Sequence, residues 1–114
     1  AEAARPNQLD KAAGLRNMGG SPEIYAKVLA EYLNENKNTG GQLLEAIKEK
    51  RYEDARQIVH KIKGSSGSIG AEAVYELSTR LHEALKNQKK EQIEFLAKEF
   101  TDALSELLTE IAQR

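Results

Sequence analysis

Apolar residues recur along most of this chain at spacings of three and four, the period of a helix face and not of a strand. The opening stretch "LDKAAGLRNM" predicts a short helix from Leu9, and Gly19-Gly20 then breaks the chain. Ser21-Pro22-Glu23 supplies an N-cap, a proline at the first helical position and an early acid, so a second helix is predicted from Pro22. Its stripe runs through Ile24, Tyr25, Val28, Leu29, Tyr32 and Leu33 until "NKNTGG" interrupts it before "QLLEAIKEK". The pattern leaves open whether residues 22–49 form one kinked helix or two.

Three further segments each carry one apolar face. From Tyr52 it is Ala55, Ile58, Val59, Ile62, Ser66 and Ile69; from Glu72 to Asn87 it is Val74, Leu77, Leu81, Ala84 and Leu85; from Glu91 it is Ile93, Leu96, Phe100, Ala103, Leu104, Leu107 and Ile111. Amphipathic helices joined by short turns bury those faces on one another, which predicts an all-α fold: an antiparallel four-helix bundle with a short additional N-terminal helix or helices. The last segment keeps its spacing for about three heptads, so a coiled coil is an alternative for it alone.

Composition agrees with helix. Aromatics make up only 5% of the residues while Ala, Leu, Glu, Lys and Gln dominate, a balance that favours helix over sheet. At 114 residues the chain suits one domain, placed at 9–114, with the polar segment 1–8 read as a linker remnant. A net charge of −1 gives no bulk electrostatic reason to expect nucleic acid or a membrane surface as partner. The chain has no cysteine, no apolar run near the roughly 18 residues of a membrane span, and no signal-peptide core in "AEAARPNQ". A cytoplasmic location is the expectation.

One stretch stands apart, "HKIKGSSGSIGA" from His60 to Ala71. At about 100° per residue, His60 points roughly 150° away from the apolar stripe of its segment, so it is expected to be exposed. If the helix continues, Gly64 and Gly67 fall within about 40° of the His60 direction and Lys63 about 60° to one side. Such glycines leave the surface beyond the imidazole without side chains. Composition alone favours a different reading, with Gly64 as a helix C-cap and "GSSGS" as a loop. Ile62, Ser66 and Ile69, however, keep the phase of the stripe, which a flexible loop has no need to do. An imidazole in water has a pKa near 6.5, so at neutral pH it is mostly unprotonated and can attack phosphorus without a separate base. Lys63, one turn along, could pair with the charge so gained.

His60, Lys61, Ile62, Lys63, Gly64, Ser65, Ser66, Gly67, Ser68, Ile69, Gly70 and Ala71 together resemble the signature of histidine-containing phosphotransfer (HPt) domains: His, any residue, an aliphatic, Lys, Gly, Ser, a small residue, two variable positions, an aliphatic, Gly and Ala. The resemblance extends from "AGLRNMGGSPEIYAKVLAEYL" to the final long helix. It implies that the motif is helical, and that His60 accepts a phosphoryl group from the aspartyl phosphate of one receiver domain and passes it to the aspartate of another. It implies that Lys63 steadies the phosphate and that Gly64, with Gly67 beyond it, leaves room for the receiver. His82 and Lys86 occupy positions where some members carry polar groups near the phosphate, although a histidine at the first is a departure. The expected partners are receiver domains of response regulators or of a hybrid histidine kinase. They would dock on a monomer at apolar candidates Leu9, Leu15, Met18 and Ile24. No cofactor of its own is expected, since the receiver supplies the magnesium, and no autonomous ATP-dependent kinase activity.

Rival chemistries fit poorly. Gln57 and Thr79 stand three residues before the two histidines, so the Glu-x-x-His pairs of a carboxylate metal bundle are absent. The glycines lack a P-loop ending, and "KNQKKEQ" at residues 86–92 reads as a solvated turn. The remaining alternative is a non-catalytic interaction or dimerisation bundle that binds receivers without transfer.

Overall fold

A computed structural model describes residues 9–113. Six helices follow in order: α1 (Lys11–Asn17), α2 (Pro22–Asn36), α3 (Thr39–Lys48), α4 (Tyr52–Ile69), α5 (Glu72–Lys86) and α6 (Lys90–Ala112). The expected linker at 1–8 lies outside the described residues. Local chemistry sets several boundaries. The Asp10 carboxylate accepts the Ala13 amide at 3.0 Å, and the Ser21 hydroxyl accepts that of Ile24 at 3.2 Å with Pro22 following, so α1 and α2 each begin on a side-chain cap.

Residues 22–49 form two helices that make one side of the bundle. Lys37 and Asn38 separate them. Asn36 donates back to the Tyr32 carbonyl at 3.0 Å and accepts from the Thr39 hydroxyl at 2.8 Å, which supplies partners where the helical ladder is interrupted. Both α2 and α3 then pack on α4 and on α6. With α4 against α5 and α5 against α6, the helices close a four-sided ring around one shared core, the backbones of diagonal helices staying apart. This is the antiparallel four-helix bundle, with α1 added across α2 and α4. The stripe of α6 is used up inside it, Phe100, Leu104 and Leu107 being fully buried or nearly so, so this helix faces its own bundle and not a coiled-coil partner. Among the described residues, no helix is long and apolar enough to cross a membrane.

Four helices end in the same way. The residue after a left-handed turn donates its amide back five positions, from Gly20 to Leu15, Arg51 to Ala46, Ala71 to Ser66 and Lys89 to Ala84, with Gly19, Lys50, Gly70 and Gln88 at positive φ. Lys50 and Gln88 bear the left-handed strain. At Gly70 (φ 86°) a side chain is excluded twice over, by the torsion and because its Cβ would strike the Asp10 carbonyl. The compositional preference for Gly64 as the cap is thus overturned: α4 runs through Gly64 and Gly67 and is capped at Gly70.

Bonds from α1 and α2 hold that end. Asp10 donates its amide to the Gly70 carbonyl at 2.8 Å beside an antiparallel bridge between Leu9 and Ala71. The Asn17 side chain donates to Ser68 at 3.1 Å and the Tyr25 hydroxyl to Ile69 at 2.8 Å. Within the core, Tyr32 and Ser66 share a hydrogen bond of 2.7 Å, so the buried serine on the α4 stripe is satisfied.

Two outcomes follow from this end of the molecule. Gly70→Ala, forced into positive φ against Asp10, should lower unfolding free energy by about 2 kcal/mol or more in urea titrations. Burial pushes the Tyr32 phenol up to about 12, the Ser66 bond offsetting only part of it. An unfolded tyrosine ionises near 10, so the stability tied to this proton is intact below pH 10 and is lost as pH rises toward 12, at up to about 1.4 kcal/mol per pH unit. Tyr32→Phe should remove that alkaline loss while costing about 1 kcal/mol at neutral pH, both read from unfolding curves at pH 7 to 11.5.

Candidate functional site

His60 lies near the middle of α4 and is exposed, while Val59 and Ile62 beside it are buried. The helical phase that carries the isoleucines inward carries the imidazole out. Across the α4–α5 hairpin, residues equidistant in sequence from Ala71 come level with one another, because two antiparallel helices rise at the same rate. His60 and His82 are such a pair, their ring centroids 5.8 Å apart and tilted by 47°. Lys86 is exposed, one turn beyond His82 on α5. Arg56, one turn before His60, is held by Glu53 at 2.8 Å.

The glycine strip is only half bare. A Cβ at Gly64 would meet nothing within 4 Å, whereas one at Gly67 would lie 3.1 Å from the Tyr75 ring. Gly67 and Tyr75 are another level pair. Tyr75 is 41% exposed, and its ring also lies under the Lys63 ammonium, 5.7 Å from centroid to Nζ, within cation–π range. Lys63 is therefore half-buried beside Tyr75, next to the imidazole pair. The sequence reading missed Tyr75, although counting outward from the turn at Gly70-Ala71 would have found it opposite Gly67.

The four apolar docking candidates separate. Leu9 is 7% exposed and belongs to the core, where it pairs with Ala71, so it is removed from any docking surface. Leu15 and Met18 are half-buried against the core, and Ile24 is 51% exposed. Met18 and Val28 line a shallow groove with Ser65 and Ser68 of α4, along the flank of the glycine strip.

Electrostatics distinguish the second histidine. Burial lowers the pKa of His82, and repulsion from Arg56, His60 and Lys63 lowers it further against a weak opposing pull from Glu83. His82 is accordingly neutral near pH 7. Among the described residues no group of three or more histidines and carboxylates is arranged to hold a metal ion. The site thus offers an exposed imidazole, a nearby lysine, a second imidazole and an uncovered backbone.

The family model of the Hpt domain matches residues 27–114, a span that includes the whole of α4, α5 and α6. The chain belongs to the Hpt domain family. Membership gives this Hpt domain a general role in histidine phosphotransfer within phosphorelays. Neither the curated proteins nor the solved structures yield a match to it.

Because nothing lies over Gly64, Gly64→Ala should fold normally and raise unfolding free energy by about 1 kcal/mol through helix propensity. Gly67→Ala should gain less, since the Tyr75 ring must move. Paired urea titrations of the two variants check this.

Proposed function

We propose that His60 is the phosphoryl acceptor and donor of this Hpt domain. A ring nitrogen attacks the phosphorus of a receiver's aspartyl phosphate; the N–P bond forms, the P–O bond to aspartate breaks, and the electron pair leaves with the carboxylate. The reverse sequence delivers the group to a second receiver. The observation that carries this reading is the exposed imidazole beside the open backbone at Gly64, since an incoming acidic pocket needs both a reachable lone pair and room to close over it.

Phosphoryl transfer is helped chiefly by positioning and by charge. Here a packed helix supplies the positioning. Lys63 supplies charge by leaving the Tyr75 face and turning to the phosphoryl oxygens, a contact worth about 1 kcal/mol or less at an exposed site. The magnesium and the acidic residues belong to the receiver. Ile24, Met18 and Leu15 are proposed to form the apolar contact with the receiver, with the domain acting as a cytoplasmic monomer.

The test mixes the protein with receivers phosphorylated on aspartate. Acid-labile, alkali-stable label should appear on the wild type and vanish in His60→Gln. Lys63→Ala should reduce it several-fold, and Gly64→Ala should slow transfer despite its greater stability. Label that persists in His60→Gln, or binding of receivers with no label at all, would leave the domain as an interaction module.

A further inference from the structure

The level pairing of His60 and His82 has a consequence for the charge that arrives at the site, and it rests on His60 being the phosphoryl acceptor. We infer that His82 is a second, proton-accepting ligand of the phosphoryl group: neutral while His60 is bare, it takes one proton from solvent when His60 is phosphorylated and holds the phosphoryl oxygens as an imidazolium.

Geometry carries this. The two ring centroids lie 5.8 Å apart across the α4–α5 hairpin, tilted by 47°, and a phosphoryl group on His60 adds its oxygens to the space between or beside them. An opposite charge within about 4–6 Å favours the charged form of a titrating group. The phosphoryl group brings nearly two negative charges.

The groups around His82 show why the resting ring is neutral and why that balance can be reversed. From α4 it faces Arg56, His60 and Lys63, and on its own helix it has Glu83 beside it and Lys86 one turn away. Charges at the start of α6, Lys89 and Glu91, lie against the other flank of α5 with Arg80 and Glu83. Burial and the α4 cations therefore set the resting state. Arg56 is already paired with Glu53 at 2.8 Å, and one lysine, Lys63, offsets at most about half of the nearly two negative charges of the phosphoryl group, so net negative charge remains to face His82. Besides His60 itself, His82 is the chain's one imidazole, the side-chain type whose charge changes in the neutral range, and it is the group whose charge answers to phosphorylation.

The sign follows by linkage. If the phosphorylated protein binds one more proton at His82 than the bare protein, acid favours the phosphorylated state. The effect spans the window from the lowered midpoint of the bare protein, below 6.5, up to the raised midpoint of the phosphorylated one. Within it the phosphorylation equilibrium shifts by up to about tenfold per pH unit.

The experiment phosphorylates the full chain with phosphoramidate and follows the histidine ring protons by NMR from pH 6 to 8.5, with phosphorus NMR reporting the phosphohistidine. The His82 midpoint is expected to rise on phosphorylation. The equilibrium with a receiver should favour the phosphorylated Hpt domain more steeply as pH falls in the wild type than in His82→Gln, which lacks the His82 contribution and keeps every other one. Phosphohistidine at His60 with an unmoved or lowered His82 midpoint, or equal pH profiles in the two proteins, would overturn the inference and leave the acceptor role standing. Absence of phosphohistidine at His60 would overturn both.

Discussion

The Gly70 carbonyl accepts the Asp10 amide, the Ile69 carbonyl accepts the Tyr25 hydroxyl, and Ser66 pairs with Tyr32. Together these bonds keep the last third of α4 helical. The segment "GSSGSI" is poor helix material, with two interior glycines costing about 1 kcal/mol each relative to alanine. Buried hydrogen bonds of about 1 kcal/mol apiece, together with Ile62 and Ile69 in the core, offset a cost of that size. Tertiary structure from α1 and α2 thus secures a stretch that local preference would leave as a loop.

That arrangement explains how one surface can be both sparsely covered and firm. Gly64 has no cover because the helix needs none on its outer face; its fastening is on the inner face and at its end. The imidazole one turn earlier is held by a backbone fixed on the core side through Val59 and Ile62. Neighbours are then determined by the hairpin: with the turn fixed at Gly70-Ala71, each residue of α4 has its counterpart on α5, which brings His82 to His60 and Tyr75 to Gly67.

Much of this was legible in the residues. The helical stripes, the outward phase of His60 and the start of α2 at Ser21-Pro22 all follow from spacing and caps, which are local. The family signature placed the glycine stretch on a helix when composition favoured a loop. What escaped depended on contacts distant in sequence. Leu9 reads as the start of the first helix and as a docking candidate, yet it lies before α1, paired with Ala71 and buried in the core. Tyr75 falls outside the α5 stripe, and its place over Gly67 follows once the turn at Gly70-Ala71 pairs α5 with α4. The break at Lys37-Asn38 was visible as a loss of period, but that α2 and α3 share one side of the bundle depends on α4 and α6.

Because the family match begins at residue 27, the groups that fasten the end of α4 from outside, Asp10, Asn17 and Tyr25, all precede it. A fragment trimmed to the matched span would keep His60 and all four sides of the ring, yet it would release the carbonyls of Ser68, Ile69 and Gly70 from their partners. The bonds that fasten α4 therefore reach back to Asp10, well upstream of the recognisable motif.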